Sequence, residues 1–162
     1  MKYRGFEKIS FDQFKKDIKD DRELYNNYQV PDRNSKYSAG YDFYLIENII
    51  INPGETLKIP TGIKSYMQSN EVLFLIVRSS TGCKYNVRMM NQVGVVDKDY
   101  YNNKSNEGHL FVFLQNQSSE QFILNANTKY IQGVFTYYLL ADNDNVEDER
   151  IGGFDSKNGG LI

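Results

Sequence analysis

The sequence predicts an all-β domain with one short helix near its N-terminus. Three observations carry that prediction. From Tyr41 onward, short apolar runs alternate with turn signals at intervals suited to a β-sandwich or barrel. Thirteen Tyr and ten Phe, with no Trp, make the chain 14% aromatic, a composition that suits pleated strands and is too rich for a disordered chain. At 162 residues the chain has the size of one domain and can bury a core without covalent staples.

Residues 1–37 stand apart from the rest. Lys, Asp and Asn dominate there, and the only apolar spacing is helical: Phe11, Phe14 and Ile18 fall at i, i+3 and i+7 on one face. Ser10 and Gln13 form an S-x-x-Q capping box, in which each side chain can satisfy a backbone N–H left free at the helix start. The segment reads as an N-terminal extension whose short helix docks on the domain.

The β domain is expected over 38–141. Phe43 to Ile51 is its first run, ended by the turn dipeptide Pro53-Gly54. Glu55 to Ile59, Ile63 to Met67 and Val72 to Val77 follow, the last so continuously apolar that burial on both faces is expected. Val93 to Val96, Leu110 to Leu114, Phe122 to Leu124 and Tyr130 to Leu140 complete the set. The final segment, 142–162, departs again. Four of the twelve glycines lie in its last eleven residues, a composition that packs no core of its own. It is either a frayed tail or an arm that orders over a ligand, with Phe154 flanked by glycine on one side and Arg150 upstream.

One cysteine, Cys83, and one histidine, His109, exclude much chemistry. An intrachain disulfide and a Cys/His zinc site both lack the residues they need. Any Ser-His-Asp or Cys-His catalysis would have to use His109, so carboxylates, backbone amides or a bound metal are the expected agents. A balance of 19 Lys and Arg against 21 Asp and Glu makes a poor surface for nucleic acid or an anionic membrane. No apolar run approaches the ~20 residues that span a bilayer, and the start leads into no signal-like region. A cytoplasmic protein is expected, with neither nucleic acid nor membrane as partner.

Four constellations could carry function. In Gly94-Val95-Val96-Asp97-Lys98-Asp99-Tyr100, the carboxylates of Asp97 and Asp99 would share one face if the strand ran through them. Two such carboxylates repel, and call for a cation, a metal or a raised pKa, although a solvated strand end would also place them there. Arg78-Ser79-Ser80-Thr81-Gly82 follows a buried strand with hydroxyls, a glycine and backbone N–H groups that could cradle an anion, or form an ordinary turn. Ala39-Gly40-Tyr41-Asp42 opens the β region, and Ile131-Gln132-Gly133-Val134 puts a glycine inside a long strand, a sign of a bulge or close backbone approach.

In this order the segments resemble the five motifs of the trimeric dUTP pyrophosphatases, or dUTPases. Ala39-Gly40-Tyr41-Asp42 is similar to the A-G-x-D motif, Arg78-Ser79-Ser80 to R-S-[GS], and Asn91 through Tyr100 to the N-x-x-G-x-[IV]-D-x-D-Y hairpin. Ile131-Gln132 stands where the family has A-Q, and Gly152-Gly153-Phe154 where it has the G-G-F arm. Asn106-Glu107-Gly108-His109 looks like the branch found in Firmicutes and their phages.

The resemblance implies a jelly-roll β-barrel, a homotrimer with shared active sites, and Mg2+-dependent hydrolysis of dUTP to dUMP and pyrophosphate. It makes Asp97 the base that activates water. Arg78, Ser79, Ser80 and Gln132 would hold phosphates, as would Arg150 and Ser156 in the arm. Asn91 and the strand backbone at Gly94 and Val96 would read uracil. Tyr100 would pack on deoxyribose, Phe154 would stack on the base, and Asp42 and Asp99 would have supporting roles. Mg2+ would be held mainly by substrate phosphates and water. Two alternatives remain: a nucleotide enzyme resembling dCTP deaminase, for which the strand after Gln132 supplies no glutamate, and a binding or regulatory protein of the same fold.

Overall fold

The computed structural model describes residues 2–148. Its strands are β1 (Gly5–Lys8), β2 (Asp32–Arg33), β3 (Tyr41–Tyr44), β4 (Ile49–Ile51), β5 (Thr56–Pro60), β6 (Ile63–Tyr66), β7 (Glu71–Val77), β8 (Val87–Met89), β9 (Gly94–Val96), β10 (Phe111–Asn116), β11 (Phe122–Leu124) and β12 (Lys129–Tyr137). Helices are few and short: α1 (Phe11–Asp17) and α2 (Arg22–Asn27), a π-helical turn over Ser80–Lys84 and a 3-10 turn over Lys98–Tyr100. The largest sheet has the order β2-β3-β12-β7-β9, beside a three-stranded sheet β5-β10-β8 and the pairs β1-β6 and β11-β4. Every strand pairing among the described residues is antiparallel. Leu73, Leu75, Phe43, Met89, Leu114, Tyr130 and Ile131 meet in one core between the sheets.

The expected strands are present with three corrections. The run Phe43 to Ile51 is two strands, because Leu45 and Ile46 turn inward to the core and β4 then pairs with β11 in a different sheet. The last run stops at Tyr137, leaving Tyr138, Leu139 and Leu140 exposed. Burial of β7 on both faces does not hold for a single chain: Leu73 and Leu75 are buried, whereas Phe74 and Ile76 on the alternate face are only half-buried.

The N-terminal extension holds more than the one expected helix. α1 forms where Phe11, Phe14 and Ile18 predict it, and Ser10 Oγ accepts the Gln13 N–H at 3.1 Å. The capping box is only half made. Gln13 Nε2 donates to Asp17 instead, and the Ser10 N–H donates to Glu107 Oε2 at 2.9 Å. Asp21 caps α2, and β1 adds a strand beside β6. Ile9, Phe14 and Tyr28 are buried where the extension meets the domain. Burial contributes about 1.5–3 kcal/mol per large apolar side chain, against about 0–1 kcal/mol for an exposed pair such as Lys15–Asp12. Apolar packing therefore holds the extension in place.

Candidate active site

The residues singled out from the sequence lie along β7 and at its ends. Beside its first half and middle β9 runs antiparallel to it, pairing Leu73 with Val96 and Leu75 with Gly94. Before β9 the chain reverses tightly at Asn91 and Gln92, where the Gln92 N–H donates to the Met89 carbonyl at 3.0 Å. A cavity of about 100 Å3 opens here, lined by Leu75, Met89, Asn91, Gly94, Val96 and Tyr100 among others. A cavity of order 150 Å3 binds benzene, so this slot is on the scale of a single ring. Gly94 keeps it open: a Cβ there would stand 3.2 Å from Leu75 Cβ and 3.6 Å from Met89 Cε. β9 is also the edge of its sheet among the described residues, so backbone groups on its outer side remain for a ligand.

Asp97 and Asp99 do not share a strand face. β9 ends at Val96, and the chain winds into the 3-10 turn with Asp97 at its start. This breaks the period-two alternation that would have aligned them. Asp97 is half-buried and Asp99 exposed, on a cleft that also includes Val72, Phe74, Val95 and Tyr138. Tyr100 ends the turn with its ring buried, its hydroxyl donating to the His109 carbonyl at 3.0 Å.

At the other end of β7, Arg78 leaves the sheet beside β12 and β3. Asp42 of β3 is buried, and its carboxylate accepts from Arg78 Nε at 2.9 Å and Lys129 Nζ at 3.1 Å. This contact with Asp42 raises the pKa of Lys129. Two cations on one carboxylate leave a net positive charge, suited to an anion. Gln132 lies opposite Asp42 in the β12-β3 register, and its Oε1 rests over Gly40, only 2.3 Å from where a Cβ would be. Ser79 and Ser80 follow Arg78, exposed, at the start of the π-helical turn.

The sequence thus brings Asn91, Gly94, Val96 and Tyr100 together, and separately Asp42, Arg78 and Gln132. Asp97 belongs to the first group. By register it stands beside Val72, six residues before Arg78, or about 20 Å along a strand that rises ~3.3 Å per residue. Sequence reasoning did not single out Lys129, or the slot walls Met89, Leu110 and Phe111. A lysine opening a strand and apolar residues in two strands carry no local signature, and only strand pairing identifies them. Arg150, Phe154 and Ser156 lie outside the described residues. No group of three or more His, Cys, Asp or Glu side chains is placed to hold a metal among the described residues. The carboxylates of Asp97 and Asp99 nonetheless supply the hard oxygen donors that Mg2+ prefers, alongside the oxygens of a phosphate ligand.

A ring-sized slot and a net positive cluster of Arg78, Lys129 and Asp42 are features that suit a nucleotide. Comparison with known proteins defines the class. The dUTPase family model matches residues 26–155. A deoxyuridine 5'-triphosphate nucleotidohydrolase of Lactococcus lactis is 41% identical over 160 residues, covering 96% of this chain and 98% of that one. The crystal structure of dUTPase from Streptococcus mutans superposes with a TM-score of 0.69 at 38% identity, over 85% of this chain and 98% of that one. The fold is shared further with a dUTPase variant from phage phi11 of Staphylococcus aureus, whose structure describes coordination of a structural Mg(II) ion. Its TM-score is 0.66 at 18% identity, over 91% of this chain and 98% of that one. The chain belongs to the dUTPase family.

Proposed function

We propose that this chain hydrolyses dUTP to dUMP and pyrophosphate at sites completed between the copies of a homotrimer. The hydrolysis follows from family membership. The residue assignments are those the motif resemblance implies, and the geometry above supports the sharing of sites. One observation carries the sharing: within one chain, Asp97 and Arg78 sit at opposite ends of β7. A carboxylate that activates water at the α-phosphorus and an arginine that grips the same triphosphate must converge. A second copy that brings its Arg78 end to this Asp97 end satisfies that need. Half-buried Phe74 and exposed Val95 and Tyr138 beside Asp97 supply an apolar face for such a contact. Closure of the sheets into a jelly-roll barrel, a domain spanning 38–141 and an arm spanning 142–162 belong to the same proposal.

Uracil would enter the slot, with Asn91 and the outer backbone of Gly94 and Val96 reading its edge. A slot of about 100 Å3 would leave little room for the added methyl group of thymine. Tyr100 would pack against deoxyribose, where a 2'-hydroxyl clashes. Phe154 of a neighbouring copy would stack on the base. Asp97 would accept a proton from a water whose oxygen attacks the α-phosphorus, and the bond to the bridging oxygen breaks as pyrophosphate leaves. Arg78, Gln132, Ser79 and Ser80 would hold the phosphates, with Arg150 and Ser156 closing over them. Asp42 would hold Arg78 in position, and Asp99 would support the rim. Mg2+, when bound, neutralises charge on the triphosphate oxygens.

No helix among the described residues is long and apolar enough to cross a membrane. We place the enzyme in the cytoplasm, where its nucleotide substrate is found. The reading is tested by pyrophosphate release from dUTP, dTTP, UTP and dCTP with Mg2+. Release from dUTP alone is expected. Failure with dUTP, or deamination of dCTP, would overturn it.

A further inference from the structure

Tyr100 is gripped by the loop that follows it more closely than a packed aromatic requires. Its hydroxyl donates to the His109 carbonyl at 3.0 Å and accepts from Asn106 Nδ2 at 2.9 Å. Asn103 Nδ2 donates to the Tyr100 carbonyl at 2.8 Å. Asn106 is itself held, since its Oδ1 accepts from Asn103 Nδ2 at 2.8 Å and from the Gly108 N–H at 3.1 Å. Gly108 has φ +80°, and a Cβ there would stand 2.6 Å from the Tyr100 carbonyl oxygen, so only glycine lets the loop close this tightly.

The loop is tied in turn to the N-terminal extension. The buried His109 ring contacts Asp17 Oδ2 through Nδ1 at 2.6 Å and accepts the Gly62 N–H on Nε2 at 2.9 Å. Since Nε2 accepts, Nδ1 carries the proton and donates to Asp17. Glu107 caps Ser10, and the Tyr101 hydroxyl donates to Glu7 at 2.6 Å. Three carboxylates thus connect the extension to the segment that holds Tyr100.

We infer that Asn106 is a positioning residue for sugar selection: with the His109 carbonyl it fixes the phenol of Tyr100, and the N-terminal extension anchors the loop that carries both. The inference rests on the reading of Tyr100 as the residue that faces deoxyribose. Removing either end of the Asn106–Tyr100 bond frees the ring to shift, which lowers the cost of a 2'-hydroxyl while leaving Asp97 and the phosphate-binding residues untouched. The effect therefore falls on KM and on the choice between dUTP and UTP, with kcat for dUTP largely kept.

The test compares kcat/KM for dUTP and UTP in Asn106→Ala, Tyr100→Phe, their double variant and Tyr100→Ala, with melting temperatures recorded alongside. A hydrogen bond of this kind contributes about 1 kcal/mol, so Asn106→Ala should reduce the dUTP preference about fivefold, and Tyr100→Phe, which also loses the bond to the His109 carbonyl, by at least as much, chiefly through KM. The double variant should fall no further than Tyr100→Phe, because that change already removes the bond to Asn106. A lowered melting temperature with unchanged preference would overturn the inference, as would multiplicative losses in the double variant. Should Asn106→Ala fail to fold, Tyr100→Phe decides alone, since it removes the hydroxyl's bonds to Asn106 and the His109 carbonyl from the ring side and leaves the Asn103–Asn106–Gly108 bonds of the loop in place. Unchanged preference there is a refutation. Tyr100→Ala separates the two levels: an intact preference in that variant defeats the sugar-facing role itself. A lost preference there, with intact preference in Asn106→Ala and Tyr100→Phe, defeats only this inference.

Discussion

At the scale of single residues, Asp42 shows how a motif residue acquires a physical task. Its position was legible in Ala39-Gly40-Tyr41-Asp42, but its role was not, because the role lies in two partners distant in sequence. Arg78 and Lys129 converge on its buried carboxylate. Replacing it by Asn would keep the shape and remove the charge, leaving two cations uncompensated and Arg78 free to swing. A hydrogen bond to a charged group contributes about 1.5–3 kcal/mol, which corresponds to about 10- to 100-fold in binding. Asp42→Asn should therefore raise KM for dUTP by about that factor, with a smaller effect on kcat, as steady-state kinetics will show. The opposite pattern, normal KM with lost turnover, would place Asp42 in the chemistry. Lys129 escaped the sequence reading because a lysine at a strand start looks like any solvated cation until strand pairing places it.

At the scale of elements, α1 was legible and its neighbours were not. Phe11, Phe14 and Ile18 carry a helical period that survives in the structure. β1, with Gly5-Phe6-Glu7-Lys8, and β8, with three residues, are too short for a period to register, and α2 has no buried residue to create one. Nothing local in the sequence marks His109 as buried, yet it is fully enclosed between Asp17 of α1 and Gly62. Burial lowers its pKa, more than Asp17 and Glu107 raise it, and nearby Lys58 acts in the same direction as burial. The unfolded chain, with a histidine pKa of about 6.5, thus binds a proton before the folded chain does. Stability from this group is full above that value and is lost as pH falls toward the lowered folded value. Glu7, Glu71 and Glu107 are also held below the usual glutamate range, by Lys2, Arg4 and Ser10 among their partners, and their contributions disappear at still lower pH. Melting temperature should accordingly begin to fall as pH drops below about 6.5, before the glutamates contribute, and His109→Gln should flatten that first part of the curve alone. An equal slope in both proteins would remove His109 from the account.

At the scale of the whole molecule, the strand-rich architecture was legible from turn spacing and aromatic content, whereas the disposition of the site was not. The motif resemblance implies active sites shared between copies, without saying which end of a strand each copy contributes. The β7-β9 register supplies the separation: Asp97 lies beside Val72, Arg78 with its carboxylate anchor lies past the far end of the strand, and Gly94 of the slot is opposite Leu75 between them. That separation, together with the half-buried outer face of β7, supports the proposal that each site is completed between copies. The most direct test is co-expression of Asp97→Asn and Arg78→Ala chains, each of which should be nearly inactive alone. If base and phosphate are held by different copies, random mixing leaves both groups intact at about one site in four, and about a quarter of wild-type dUTP hydrolysis should return. If activity stays at the level of the separate variants, one chain supplies both groups and the shared site is wrong.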